Sequence, residues 1–210
     1  MASSMPAVQS SSVAVTAPIF QQDRFTAQRK LFRWPPRFCF FDISGNTLAF
    51  LHKKVFTWKD DIRVFTDETR SLELLTIKAR KIIDWGSAFD VTDSIRHEKV
   101  GVLKRRGWKS LVRSEWLILD AFDQEVGRIV EQSATMAIVR RFLGTLVPQY
   151  YRFEIRGRQV GTARQGIALF APRMEVDFSD DPGRTFDRRL AVAATVLLMI
   201  LEERQSRELG

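Results

Sequence analysis

The chain has one cysteine, Cys39, and two histidines, His52 and His97, which stand far apart. A single thiol excludes an internal disulfide, and no Cys/His group has the spacing of a zinc site, so the fold is expected to stand without a cross-link or metal in a reducing, cytoplasmic compartment. Long apolar runs are missing too. The N-terminus passes through Ser, Ala, Pro and Val to Phe20 with no basic start and no secretory apolar stretch, and residues 1–24 read as a disordered tail ahead of a single domain, 25–210. The longest apolar run, Leu190 to Leu201, falls short of the roughly 20 residues of a membrane-spanning helix, so no transmembrane span is expected. Phosphate-cradling loops, dinucleotide fingerprints and nucleophile elbows are absent, and so is any nucleic-acid-binding motif; neither an enzyme, a cofactor nor a nucleic-acid partner is expected.

What is present is enough apolar material, 45% of 210 residues, to fill a substantial core. It comes mostly in short β-branched and aromatic runs broken every eight to twelve positions by Gly, Asp, Asn or Ser, the pattern of an antiparallel sandwich or barrel. Phe38 to Ile43 turns at Ser44-Gly45-Asn46 into Thr47 to Leu51, and Ile62 to Phe65 turns at Asp67 to Arg70 into Leu72 to Ile77. Three further hairpins share a local repeat, with Phe89-Asp90-Val91, Ile118-Leu119-Asp120 and Phe153-Glu154-Ile155 leading to strands that carry Val100-Gly101, Val126-Gly127 and Val160-Gly161. A glycine at that point marks a bulge or a close backbone approach, either of which helps a sheet curl. Tyr151, Phe153 and Ile155, like Met174, Val176 and Phe178, alternate with charged residues as half-buried strands do, whereas Trp116 to Leu119 reads as covered on both faces.

Two segments break the strand pattern. Ser133 to Leu146 has apolar residues at helical spacing up to Pro148. The second takes Asp180-Asp181-Pro182 as its start signal and predicts a helix over about 184–205. From Leu190 to Leu201 it has no face suited to water except at Thr195, so it must be surrounded, and a strand-rich chain surrounds a helix by closing a barrel around it.

Charge is segmental. Lys99 to Arg113 carries +6 and Ala137 to Arg164 carries +5; set against a total of +8, these leave −3 for the rest. Lys104, Arg105, Arg106 and Lys109, with Trp108 as an aromatic anchor, form the candidate anion-binding group. The competing explanation is a solvated hairpin face with a partly buried Trp108. Asp177, Ser179 and Asp181 match the first ligands of an EF-hand loop, but Pro182 replaces its glycine and Arg188 its bidentate glutamate, so turn and helix capping explain these acids better. Asp60-Asp61 and the Asp120/Asp123 pair read as turn residues rather than an acid/base couple, and Cys39 reads as a small core hydrophobe.

Several strings resemble a known family. Asp61-Ile62-Arg63-Val64-Phe65-Thr66-Asp67-Glu68, Leu75-Thr76-Ile77-Lys78-Ala79-Arg80, Gly101-Val102-Leu103-Lys104-Arg105-Arg106-Gly107, Pro148-Gln149-Tyr150-Tyr151, Val176-Asp177-Phe178-Ser179 and Asp187 to Ala193 arrive in the order seen in bacterial members of the LURP-one-related, phospholipid scramblase-like family. The resemblance implies the tubby C-terminal-like fold, a closed antiparallel barrel of about twelve strands around a central hydrophobic C-terminal helix. A shared fold does not settle function; with the basic segments, the expectation is a non-catalytic binding or scaffold domain whose basic face contacts anionic phospholipid or an acidic protein, peripheral at a membrane. The alternatives are a scramblase-type lipid transporter, whose cysteine cluster and Pro-rich arm are not found here, and an undetected enzyme.

Overall fold

The computed structural model describes residues 17–30, 37–53, 61–80, 88–106, 115–132, 149–166 and 173–208. Among them a short helix α1 (Pro18–Gln21) precedes strands β1 (Arg24–Lys30), β2 (Arg37–Phe41), β3 (Thr47–Lys53), β4 (Ile62–Phe65), β5 (Glu73–Ala79) and β6 (Ala88–Asp93). Strands β7 (Glu98–Arg105), β8 (Glu115–Leu119), β9 (Glu125–Glu131), β10 (Tyr150–Ile155), β11 (Arg158–Gly166) and β12 (Arg173–Asp177) follow, then helix α2 (Arg188–Glu208). Each strand pairs antiparallel with its sequence neighbours, and β1 pairs with β12, Phe25 opposite Val176, so the sheet closes as a barrel with no free edge.

Five hairpins share one construction. One residue of the returning strand is skipped soon after the turn: Leu48, Leu74, Val100, Val126 and Val160. Such bulges kink and coil a sheet toward closure. They also bring consecutive side chains to the interior, as with Leu74 and Leu75, both fully buried. In the last three hairpins the bulge is followed by the repeated glycine. A Cβ on Gly127 would overlap the Glu154 carbonyl oxygen, and one on Gly161 the Phe178 ring; Gly101 faces Leu190 of α2 as well as the Leu119 carbonyl. The sequence repeat therefore marks both a bulge and a close approach.

The barrel is filled by α2. No residue from Leu190 to Ile200 is more than 6% exposed, and Leu197 and Leu198, which point in different directions, are each 2% exposed. Thr195, the one polar residue of the run, donates its hydroxyl to the Ala191 carbonyl at 2.9 Å. That bond satisfies it within its own helix.

The structure departs from the sequence reading in three places. Among the described residues, 17–24 are not a free tail as the sequence reading has it: Ala17 is buried, Pro18 opens α1, and Ile19 and Phe20 are buried where α1 meets α2. Helix α2 starts at Arg188 rather than near 184, because Asp181 caps a turn across the barrel end while Asp187 accepts the Arg189 backbone N–H at 2.8 Å. In β8 only Trp116 and Ile118 are buried; Leu117 and Leu119 are half-exposed, since no second layer covers the outside there among the described residues. The helix read at Ser133 to Leu146 lies outside the described residues.

Candidate functional site

The meander gives the barrel two unlike ends. At the hairpin end lie the five turns, the start of β1 and the entry of α2; at the far end β1, β3, β5, β7, β9 and β11 run out.

Aspartates build the hairpin end. Asp42 accepts the backbone N–H groups of Ser44 and Asn46, Asp67 those of Thr69 and Ser71, Asp93 those of Ile95 and Arg96, and Asp120 those of Phe122 and Gln124. An aspartate that bonds its own turn replaces a missing backbone partner. The β10–β11 turn differs: Arg156 and Gly157 both have positive φ, 48° and 78°, the two-residue geometry that needs no capping acid. Hydrogen bonding favours the charged form of Asp42 and Asp67. The carboxyl of Asp42 is lowered by the Asn46 side chain and then by backbone N–H groups, and that of Asp67 is lowered by the Ser71 and Thr69 hydroxyls.

Two arginines then open α2, where the helix dipole disfavours cations, and each is neutralised. Arg188, buried, bonds Asp181 at 2.9 Å and Asp23 at 2.8 Å, donates to the carbonyls of Phe186, Phe178 and Asp181, and lies 4.8 Å from the Phe178 ring centroid. That ring packs against Phe153 and Phe186. Arg189 holds Asp187, Asp93 and Glu98. Burial opposes ionisation of Asp181, but the N–H groups of Phe186 and Thr185, the Thr185 hydroxyl and Arg188 outweigh it and hold its pKa at about 2. Beside this lattice is a cleft of about 440 Å³ lined by α1, the β6–β7 turn and residues 184–189. Its arginines and acids neutralise one another, which makes it a joint between the termini rather than a charged receptor. Sequence reading missed it, although Asp187-Arg188-Arg189 ahead of an apolar helix was its visible sign.

The predicted anion-binding group lies at the far end. Lys104 and Arg105 close β7; Lys104 is exposed, Arg105 half-buried and across the ladder from Trp116. Neither has an ion-pair partner among the described residues, whereas Arg106 is exposed and paired with Glu115 at 3.3 Å. Trp108 and Lys109 lie outside the described residues. Lys78, near the end of β5 and not singled out in the sequence, is likewise exposed and unpaired among the described residues. It faces Asp90 across the ladder, but that carboxylate is held by Arg80 at 2.7 Å.

The remaining candidates are placed as follows. Asp120 caps its turn, and Asp123 is bound by Arg80 at 2.7 Å and Lys99 at 2.8 Å. Asp61 lies 3.7 Å from Arg63, and Asp60 is outside the described residues. Asp177 is occupied by Arg24 and the Ser179 N–H, Asp181 by the Arg188 lattice. Among the described residues no three His, Cys, Asp or Glu side chains are grouped to hold a metal ion, no helix is long and apolar enough to cross a membrane, and Cys39 is buried. Comparison with protein-family models, with curated proteins and with solved structures finds no match.

Proposed function

We propose that the protein is a non-catalytic binding domain of the LURP-one-related, scramblase-like family that meets anionic phospholipid through the basic group at the end of β7, acting peripherally at a cytoplasmic membrane face. The observation that carries this reading is that Lys104 and Arg105 are unpaired among the described residues, in a barrel whose other described cations are largely engaged by acids. A twelve-strand barrel closed around a helix is also the architecture the resemblance implies. Because α2 fills the barrel, a ligand has to be met on the outside, and an extended anionic surface suits unpaired cations at the rim better than a deep pocket does. The experiment is co-sedimentation with phosphatidylcholine vesicles with and without phosphatidylserine. Binding is expected only with phosphatidylserine and is expected to weaken with salt, since the attraction decays over roughly 8 Å at physiological ionic strength. A protein that ignores phosphatidylserine vesicles at low salt overturns the lipid reading and leaves an acidic protein as the partner.

A further inference from the structure

The two ends of the barrel use charge differently, and the difference gives the lipid reading a direction. At the hairpin end the turn aspartates keep their negative charge and Arg188 and Arg189 are neutralised by acids, so that end offers no excess of positive charge. At the far end the backbone N–H of Arg80 bonds the Ala88 carbonyl and Ala88 faces Lys104, which sets the ends of β5 and β7 on either side of β6. Lys78, Lys104 and Arg105 therefore share one sector of the rim. The described acids of that end do not offset them: Asp90, opposite Lys78, is held by Arg80, Asp61 is near Arg63, Glu115 is held by Arg106, and Glu131 is buried. No turn, cap or helix terminus requires these three cations, so the fold does not explain them.

We infer that the far end is the docking surface, with the barrel standing end-on on an anionic bilayer, Lys78, Lys104 and Arg105 toward the headgroups and the aspartate-capped turns away from them. The inference rests on the lipid reading above and adds orientation to it. The structure provides its own control, because Arg156 and Arg158 on the β10–β11 turn are exposed and unpaired among the described residues but sit at the opposite end. Lys104→Glu/Arg105→Glu and Arg156→Glu/Arg158→Glu change the net charge equally. Each basic residue near such a surface contributes enough that losing two weakens binding about 30-fold.

The test is partitioning of the full chain onto phosphatidylcholine/phosphatidylserine vesicles, with thermal melting of each variant. The far-end reversal is expected to weaken partitioning by at least that factor, and the hairpin-end reversal by less than a few-fold. Equal weakening by both overturns the orientation in favour of attraction by net charge, and an unaffected far-end variant overturns it outright. If the reversal melts early, Lys104→Gln/Arg105→Gln answers the same question. Failure of the parent protein to bind removes the lipid reading itself, which separates that failure from a wrong orientation.

Discussion

The hairpin end and the far end of this barrel are made from the same alternating strands, yet their charges stand in opposite relations to the fold. Asp42, Asp67, Asp93, Asp120 and Asp181 each close a turn through backbone N–H groups, and Arg188 and Arg189 lock α2 to the first strand and to the β6–β7 turn. Removing any of them leaves a polar group without its partner. Lys78, Lys104 and Arg105 have no ion-pair partner among the described residues, and removing them should leave the molecule as stable as before. The turn-capping acids and helix-entry arginines that the fold uses thus lie at the hairpin end, and Lys78, Lys104 and Arg105, which it does not use, lie at the far end, with the equally unused Arg156 and Arg158 of the hairpin end as their control.

The largest expected effect is at the lattice. Arg188→Ala leaves Asp181, itself 3% exposed, as an uncompensated buried charge and should cost about 3–5 kcal/mol in chemical denaturation. A loss below about 1 kcal/mol would mean that the hairpin end is not held as described. Leu197→Ala and Leu198→Ala should each cost about 2–5 kcal/mol, because both side chains are enclosed; parent-like melting of both would contradict a helix surrounded on all sides. Asp120→Ala, which strips two backbone N–H groups of an exposed turn of their acceptor, should cost about 1 kcal/mol, read as a shift in the denaturation midpoint.

Acid gives a graded version of the same comparison. The pKa of Asp181 is lowered from 3.8 to about 2 in the folded protein, so its contribution is complete above the unfolded value and is lost as pH falls through the folded one. Stability should fall between about pH 4 and pH 2, and Asp181→Asn should flatten that part of the profile while lowering stability at neutral pH. An unchanged acid limb in Asp181→Asn would assign the loss to other carboxylates.

Much of this was legible in the sequence because it is local. Ser44-Gly45-Asn46 and Asp67 to Arg70 announce their turns, Val-Gly after each of three turns announces the bulge, and an apolar stretch from Leu190 with no polar face announces enclosure. What was not legible depends on contacts between distant residues. Arg188 meets Asp23, 165 positions away, only once β1 has closed the barrel against β12. The same closure gives Ile19 and Phe20 a surface to bury on, which their own short segment does not reveal, and it diverts Asp181 from starting a helix to capping a turn. The candidate site was half visible: the basic run through Lys104 stood out as a sequence block, but the pairing of Arg106 with Glu115 and the proximity of Lys78 follow from strand register.

The central claim, that the fold uses the capping acids and helix-entry arginines of the hairpin end and does not use Lys78, Lys104 and Arg105 of the far end, is tested most directly by comparing equilibrium denaturation of Asp181→Ala with that of Lys78→Ala/Lys104→Ala/Arg105→Ala. The single change at the hairpin end should remove several kcal/mol, since it removes the buried one of the two carboxylates that hold Arg188 and the acceptor of the Thr185 and Phe186 N–H groups, while the triple change at the far end should stay within about 0.5 kcal/mol per site of the parent. Comparable losses in the two variants, or the larger loss in the triple one, would contradict the account.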